Sequence, residues 1–153
     1  MIEQVVDGWV NDLTTEVADL AGAIVHRYAP WSPELFHAAV GETHVAVYPL
    51  GDPDNAAPFA TGSLPTDLLR TRFEADAWHG AVAEDQRFTS NEADDLAWVR
   101  TFEAVRARFY VQANATVGGI AGPTRYVGGR MGTINGCRFL TVTFDARWYI
   151  SFT

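Results

Sequence analysis

The last part of the chain alternates apolar and polar residues over fourteen positions, beginning at Leu140. The apolar members are Leu140, Val142, Phe144, Ala146, Trp148, Ile150 and Phe152. Because successive side chains of a strand point to opposite faces, this pattern predicts one long strand with one face on a core. Fourteen residues would span about 46 Å at roughly 3.3 Å each, so we expect a bend or bulge. A strand this long could reach past its own core and offer an unpaired edge to a neighbour.

Two further strands are predicted upstream. Residues 43–49 form a β-branched and aromatic run that Pro49 ends. Residues 68–78 alternate, so we expect a half-buried strand with one solvated or partner-facing side. Its apolar side carries Leu69, Thr71, Phe73, Ala75 and Ala77, and its polar side carries Arg70, Arg72, Glu74 and Asp76.

Helical spacing occurs in two segments. Residues 3–28 repeat apolar side chains every three or four positions, which predicts one amphipathic helix that Pro30 stops. A capping box formed by Thr89 and Glu92 opens a second helix, which we expect to run to about residue 113. Its core stripe is Trp98, Phe102, Val105 and Phe109.

The remaining segments are rich in glycine and proline. Residues 50–67 read as a long loop, and residues 114–134 read as a glycine-rich arm or irregular strand. Asn135 and Gly136 give a hairpin-turn signal. We find no internal repeat or domain boundary, so residues 1–153 are predicted to form a single domain. The fold class is α+β, a mostly antiparallel sheet with two amphipathic helices packed on one face.

Composition and charge exclude several classes of protein. The chain is 48% hydrophobic, which argues against disorder, and no apolar run is long enough for a membrane span. The amino terminus shows no secretory pattern, and the single cysteine excludes an intrachain disulfide. Eleven arginines, no lysine and 19 carboxylates give a net charge of −8, which argues against sequence-specific binding of nucleic acid.

No motif for catalysis or cofactor binding is present. The histidines lack metal-ligand spacing, so a zinc site built from His37, His44 and a carboxylate is a weak alternative. Cys137 has no CxxC partner and reads as a structural thiol. Glu74 with Asp76, and Asp145 beside Arg147, could act as acid–base pairs, but such strand pairs more often form cross-strand salt bridges. We therefore predict no catalytic residue, cofactor or metal.

The order and length of these elements resemble the tail terminator proteins of long-tailed bacteriophages. The matching pieces are 5–28, 70–79, 90–109 and 138–152, and the resemblance in element order extends over most of the chain. The resemblance implies a non-enzymatic virion protein at the head–tail junction, assembled in the host cytoplasm. It would form a homo-hexameric ring that caps the tail tube, ends its polymerisation and joins the tail to the head connector or stopper. DNA would pass through the lumen without sequence-specific binding, and no membrane would be involved.

Ring edges are expected on the strands 68–78 and 140–152, with axial contacts from the loop 50–67 and the arm 114–134. The interface candidates are Asp52, Asp54, Arg70, Arg72, Glu74, Asp76, Arg125, Arg130, Asp145, Arg147 and Tyr149.

A second interpretation belongs to another class of protein. A first helix followed by long C-terminal strands also resembles the cone-shaped ligand-binding or isomerase folds of the nuclear transport factor 2 type. In that case His79, Asp145 and Trp148 would line a pocket, with Asp145 as the general base. An interaction domain of some other kind is the third possibility.

Overall fold

The fold was obtained as a computed structural model, which describes residues 2–28, 37–52, 68–80, 92–111, 124–134 and 136–149. Two helices pack on one five-stranded sheet of order β1-β2-β3-β5-β4, so the predicted α+β class is confirmed. The helices are α1 (Ile2–Glu16) and α2 (Glu92–Tyr110), with a short 3-10 turn at Ala18–Leu20. The strands are β1 (Ile24–Arg27), β2 (Thr43–Gly51), β3 (Leu68–Gly80), β4 (Thr124–Ile134) and β5 (Cys137–Tyr149).

The sheet is antiparallel except at one edge, where β1 pairs with β2 in parallel. The strand β5 lies between β3 and β4 and is hydrogen-bonded to both. The expectation that strands 68–78 and 140–152 would supply free edges is therefore wrong for the described part of the chain. The edges are β1 and β4, because β4 forms a hairpin with β5 and thereby places β5 in the interior of the sheet.

Both helices cover the same face of the sheet, as predicted. The helix α1 lies over β1 and β2, and α2 lies over β4 and β5. Between them, the rings of Trp9 and Phe109 stack with centroids 3.9 Å apart. Arg108 of α2 also donates two hydrogen bonds to the Asp12 carboxylate of α1, at 2.9 and 2.8 Å. The core formed here contains the apolar sides of β2, β3 and β5 and the predicted stripe of α2.

The first helix is shorter than predicted. It ends at Glu16, and the segment expected to continue it to residue 28 contains a 3-10 turn and β1. Gly22 has a φ of +76°, a left-handed conformation that interrupts the helix and that glycine adopts without a steric penalty. The β-branched residues Ile24 and Val25 then pair with His44 and Val45 of β2. Tertiary pairing therefore overrides the helical spacing that Val17 and Leu20 continue.

Other boundaries also differ from the sequence interpretation. Leu50 and Gly51 belong to β2, while residues 53–67 of the expected loop lie outside the described residues. Residues 124–134, expected as an arm or irregular strand, form the strand β4, which a bulge between Tyr126 and Gly128 makes irregular, and 114–123 lie outside the description. A second shift of register lies in β2, between Pro49 and Gly51, whereas the bulge expected in the last strand does not occur in its described part, 137–149.

The second helix and the hairpin turn were both predicted from sequence motifs. The helix α2 ends at Tyr110, while Thr89 of the capping box, Asn135 of the turn and residues 150–153 lie outside the described residues. The hairpin is nevertheless confirmed, because Ile134 pairs with Cys137 and Gly136 has a φ of +74°.

Candidate functional site

The sheet face opposite the helices is lined by polar side chains. We call it the polar face and define it by Tyr48, Arg72, Glu74, Asp76, Thr141 and Asp145. These residues share a face because they occupy alternate positions of β2, β3 and β5 in register. Tyr48, Asp76 and Asp145 each expose 3% or less of their surface. The prediction of a solvated side for the strand 68–78 is therefore wrong at Asp76.

Tyr48 joins the two carboxyl groups of β3. Its hydroxyl lies 2.7 Å from Oδ2 of Asp76 and is also hydrogen-bonded to Oε2 of Glu74. A phenol has one proton to donate, so it cannot satisfy two ionised carboxylates at once. One of the carboxyl groups must therefore supply a proton of its own for both contacts to be favourable.

Asp76 is the carboxyl group that holds this proton most readily. Burial, together with the negative charge of Glu74, raises the pKa of Asp76 to about 7. Hydrogen bonds from Tyr48 and Thr141 act in the opposite direction but do not cancel the effect of burial. The Oδ1 atom of Asp76 is buried and has no hydrogen-bond partner. A protonated Asp76 reduces the cost of burying this group near neutral pH.

An ion pair occupies the other end of the polar face. Arg72 donates from Nε to Oδ1 of Asp145 at 2.9 Å and from Nη2 to Oδ2 at 3.4 Å. Arg125 of β4 is in register with Asp145, and Arg130 is in register with Thr141. The structure thus places four of the predicted interface residues on the polar face, Asp76 and Asp145 buried and Arg72 and Glu74 half-buried, with Arg125 and Arg130 on the exposed strand beside it. Because Asp76 and Asp145 are buried, and Asp145 is also neutralised by Arg72, these two carboxyl groups do not form an acidic surface.

A row of hydrogen-bonded side chains, Glu42, His44 and His26, lies beside Trp78 and was not predicted from the sequence. Glu42 Oε1 is 2.5 Å from Nε2 of His44, whose Nδ1 is 3.0 Å from Nε2 of His26. The two imidazoles are nearly coplanar, and both stack against Trp78. Burial and the neighbouring His44 lower the pKa of His26, while the hydrogen bond from His44 lowers the pKa of Glu42. Because residues 3–28 were predicted to form one helix, His26 was not expected beside His44.

The residues of the pocket interpretation are not brought together. Asp145 lies on the polar face with Arg72, whereas His79 lies on the helix side of the sheet near Trp98. The side chain of Trp148 lies outside the description, as do those of Arg70, Arg147 and Tyr149. Three other residues named in the sequence analysis lie away from this site. Asp52 is exposed just after β2, and Asp54 lies outside the described residues. Cys137 is a buried free thiol.

The side chains of the polar face, and those of Glu42, His44 and His26, can form hydrogen bonds and bind protons. Within the described ranges, no group of three or more histidine, cysteine or acidic side chains could hold a metal ion. Among the same residues, no helix is long and apolar enough to cross a membrane. Comparison with models of known protein families found no match, and no curated protein shows significant similarity to the chain.

Proposed function

We propose that this chain is a structural protein of a phage tail, whose copies form a homo-hexameric ring on the end of the tail tube. The ring would stop tube polymerisation and join the tail to the head connector. The observation that carries the proposal is that, among the described residues, no strand pairs with the outer edge of β1 or of β4, which lie at opposite ends of one sheet. Two different edges of one subunit can meet head to tail, and such contacts form a ring when the rotation between copies closes.

The two edges differ in charge. The exposed carboxylates of α1, beside β1, are Glu3, Asp7 and Glu16, of which Asp7 is paired with Arg27 of β1 at 2.9 Å. The exposed arginines of α2 and β4, at the other edge, are Arg100, Arg106, Arg125 and Arg130, which outnumber the exposed carboxylate Glu103 of α2. An acidic edge of one copy and a basic edge of the next attract each other, whereas two equal edges repel. Charge therefore favours the head-to-tail arrangement over a symmetric dimer.

The strand β4 has the surface that such a contact needs. Val127 and Met131 expose 44% and 36% of their surface, and Arg125 and Arg130 are exposed beside them. Among the described residues, no strand pairs with the outer edge of β4. Strand addition supplies main-chain hydrogen bonds to an edge of this kind, and the exposed side chains add selectivity.

DNA would slide through the lumen of such a ring most readily past acidic residues, because negative charge does not attract phosphate. Asp76 and Asp145 are buried and do not supply such a surface.

The mass of the purified protein in solution tests the ring. Light scattering is expected to find a species near six times 16.8 kDa. Reversing the charge of the basic edge with Arg125→Glu and Arg130→Glu should give monomers with an unchanged circular dichroism spectrum. The matching variant carries Glu3→Arg and Glu16→Arg on the acidic edge. Adding it to the first variant should produce mixed assemblies, because the first variant then has two acidic edges and the matching variant has two basic edges, so copies of the two can alternate.

Binding to tail components tests the role of the ring. The wild-type protein is expected to bind the end of assembled tail tube and to shorten tubes that polymerise in its presence. A protein that stays monomeric at high concentration, and binds neither tube nor connector protein, would contradict the proposal.

A further inference from the structure

The row of Glu42, His44 and His26 connects the edge strand β1 to β2, on the same side of the sheet as the polar face. His26 belongs to β1, His44 belongs to β2, and Glu42 lies just before β2. The imidazole centroids are 5.3 Å apart and the ring planes differ by 11°, so two rings whose nitrogens are 3.0 Å apart lie end to end in nearly one plane. One proton therefore lies between the two rings, donated by one nitrogen and accepted by the other.

The surroundings of the row favour one added proton. A protonated His44 directs its Nε2–H at Glu42 and its Nδ1–H at Nε2 of His26, so each of its two donors has an acceptor. The ring centroid of Trp78 lies 5.0 Å from that of His44 and 5.4 Å from that of His26, within the range in which an indole stabilises a cation. The row therefore binds one proton without losing either hydrogen bond.

A second added proton removes the contact between the imidazoles. When both rings are protonated, Nε2 of His26 and Nδ1 of His44 each carry a hydrogen, and two donors of like charge face each other. Burial and the charge of His44 oppose this proton, and they lower the pKa of His26 below its ordinary value of 6.5. The second proton is therefore bound only in acid, and at the expense of the hydrogen bond between β1 and β2.

Few described groups can compensate the second positive charge. Glu42 is already directed at His44. The pKa of Asp76, which lies on the same side of β3 as Trp78, is raised to about 7, so Asp76 is neutral in the acid range in which His26 gains its proton. The other titratable or charged groups described around the row are His37, whose carbonyl accepts the indole N–H of Trp78, the neutral groups Tyr48 and Cys137, Glu74, which is hydrogen-bonded to Tyr48, and the ion pair of Arg27 with Asp7.

The strand β1 is the part of the sheet that can yield to this repulsion. It is an edge strand of four residues, whereas β2 is paired on both sides. The described contacts that hold it, besides the row, include the hydrogen bond from Tyr28 N to Val47 O at 3.2 Å and the packing of Val25 on the core. They also include the ion pair between Arg27 and Asp7, which is exposed and therefore contributes little to stability.

We propose that the row of Glu42, His44 and His26 is a pH-dependent contact, which holds β1 on the sheet until His26 and His44 are both protonated and then releases it. Release of β1 in acid exposes the edge of β2 over His44–Val47, the residues that pair with β1. Histidine is suited to this role because its charge changes in the mildly acidic range. The contact does not depend on the proposed role in a phage tail.

Hydrogen exchange of the Tyr28 amide measures the release, because this amide donates to Val47 across the two strands. Exchange rates, corrected for the intrinsic effect of pH, give the opening constant of β1. By linkage, the opening constant in acid rises about tenfold for each unit by which the pKa of His26 lies below that of an unfolded histidine. We expect a rise of about tenfold or more between about pH 7 and about pH 4.5, equal to the shift that an imidazole NMR titration of His26 reports. The amide of Val142, in the interior strand β5, should not show this rise.

His26→Gln separates the added proton from the hydrogen bond. The glutamine Nε2 can donate to Nδ1 of His44 in place of the imidazole Nε2, but it binds no proton, so the Tyr28 opening constant should stay nearly constant over the same pH range. The matched control is His37→Gln, which removes an exposed histidine, keeps the carbonyl that Trp78 contacts and should retain the wild-type rise.

Three results would each overturn the proposal. They are a Tyr28 opening constant that does not change with pH, an equal rise in a folded His26→Gln, and an NMR titration of His26 at its ordinary pKa. The first and third need only the wild-type protein, so they decide the question even if His26→Gln does not fold.

Discussion

At the scale of single residues, Tyr48 and its two carboxyl neighbours determine how the protein responds to pH. The pKa of Asp76 is raised from 3.8 to about 7 by burial and by Glu74. Between these two values the folded protein holds a proton that the unfolded chain has released. Stability therefore falls as the pH rises through this window, and the contribution is fully present only at the acidic end.

We predict that Asp76→Asn removes this dependence. In the wild-type protein the titration of Asp76 should remove roughly 2–3 kcal/mol of unfolding free energy between about pH 5 and about pH 8, while His26, whose pKa is lowered, acts in the opposite direction. The variant should change much less, because asparagine does not ionise, and it should be the more stable protein at the alkaline end. Urea unfolding at several pH values measures both curves, and parallel curves would contradict the assignment.

Asp145→Asn is the matched control for this prediction. It also removes a buried carboxylate from the polar face, but here Arg72 loses the oxygens that it contacts at 2.9 and 3.4 Å. We expect a loss of about 1–3 kcal/mol at the alkaline end, opposite in sign to the effect at Asp76.

The sequence predicted which residues share the polar face but not their environment. Alternation along β3 correctly placed Arg72, Glu74 and Asp76 on one side, because the two-residue period of a strand fixes this geometry. It could not show that Asp76 would be buried or that Tyr48 would bridge the carboxyl groups, since both depend on the pairing of β2 with β3. Burial of a polar residue is a tertiary property.

At the scale of secondary-structure elements, strong local signals were reliable and weak ones were not. The alternating strands and the apolar stripe of α2 were predicted correctly. The first helix was predicted too long because its spacing continues past Glu16, although Gly22 and the β-branched pair after it favour a turn and a strand. The error also hid His26, whose position depends on β1.

Close packing between β4 and α2 gives a second prediction. A Cβ on Gly129 would lie 3.0 Å from the Phe102 ring and 2.8 Å from the Tyr126 hydroxyl, whereas a Cβ on Gly128 meets nothing within 4 Å. Gly129→Ala should therefore cost about 1–3 kcal/mol of stability through overpacking. Gly128→Ala is the control and should be neutral or slightly stabilising. Thermal unfolding of the two variants side by side measures the difference, and equal effects would contradict the packing.

The ion pair between the two helices gives a third prediction. Arg108 and Asp12 form a bidentate pair whose side chains are 22% and 12% exposed. Arg108→Gln should cost about 1–2 kcal/mol, since both charged hydrogen bonds between α1 and α2 are lost. Arg100→Gln, at an exposed position of the same helix, should cost less than about 0.5 kcal/mol. A double-mutant cycle with Asp12→Asn separates the pair from other effects of either change.

At the scale of the whole molecule, the separation of charge between the two sheet edges gives a fourth prediction. If the acidic edge of one copy meets the basic edge of the next, added salt should weaken association, because exposed charges are screened within about 10 Å at 0.1 M salt. Sedimentation at increasing sodium chloride should show a shift from assembly toward monomer. An assembly insensitive to salt would instead point to the apolar residues of β4, such as Val127.

The order of the strands lies beyond what local patterns can indicate. The sequence specified strands and a hairpin, but not that β5 would pair with β3 as well as β4. This strand pairing depends on contacts between residues far apart in the chain, and a local pattern of apolar and polar residues does not indicate such contacts. The interface candidates could therefore be grouped by face and not by edge.

The interior position of β5 has a consequence for how the chain folds during synthesis. Of the five strands, β5 leaves the ribosome last, yet β3 and β4 are joined in the sheet only through their hydrogen bonds to it. Until residue 149 has emerged, the nascent polypeptide consists of two incomplete halves whose exposed edges can meet those of other nascent chains. Co-translational folding of this sheet is therefore delayed until β5 has been synthesised, and chaperones that shield unpaired strands have their greatest effect before that point.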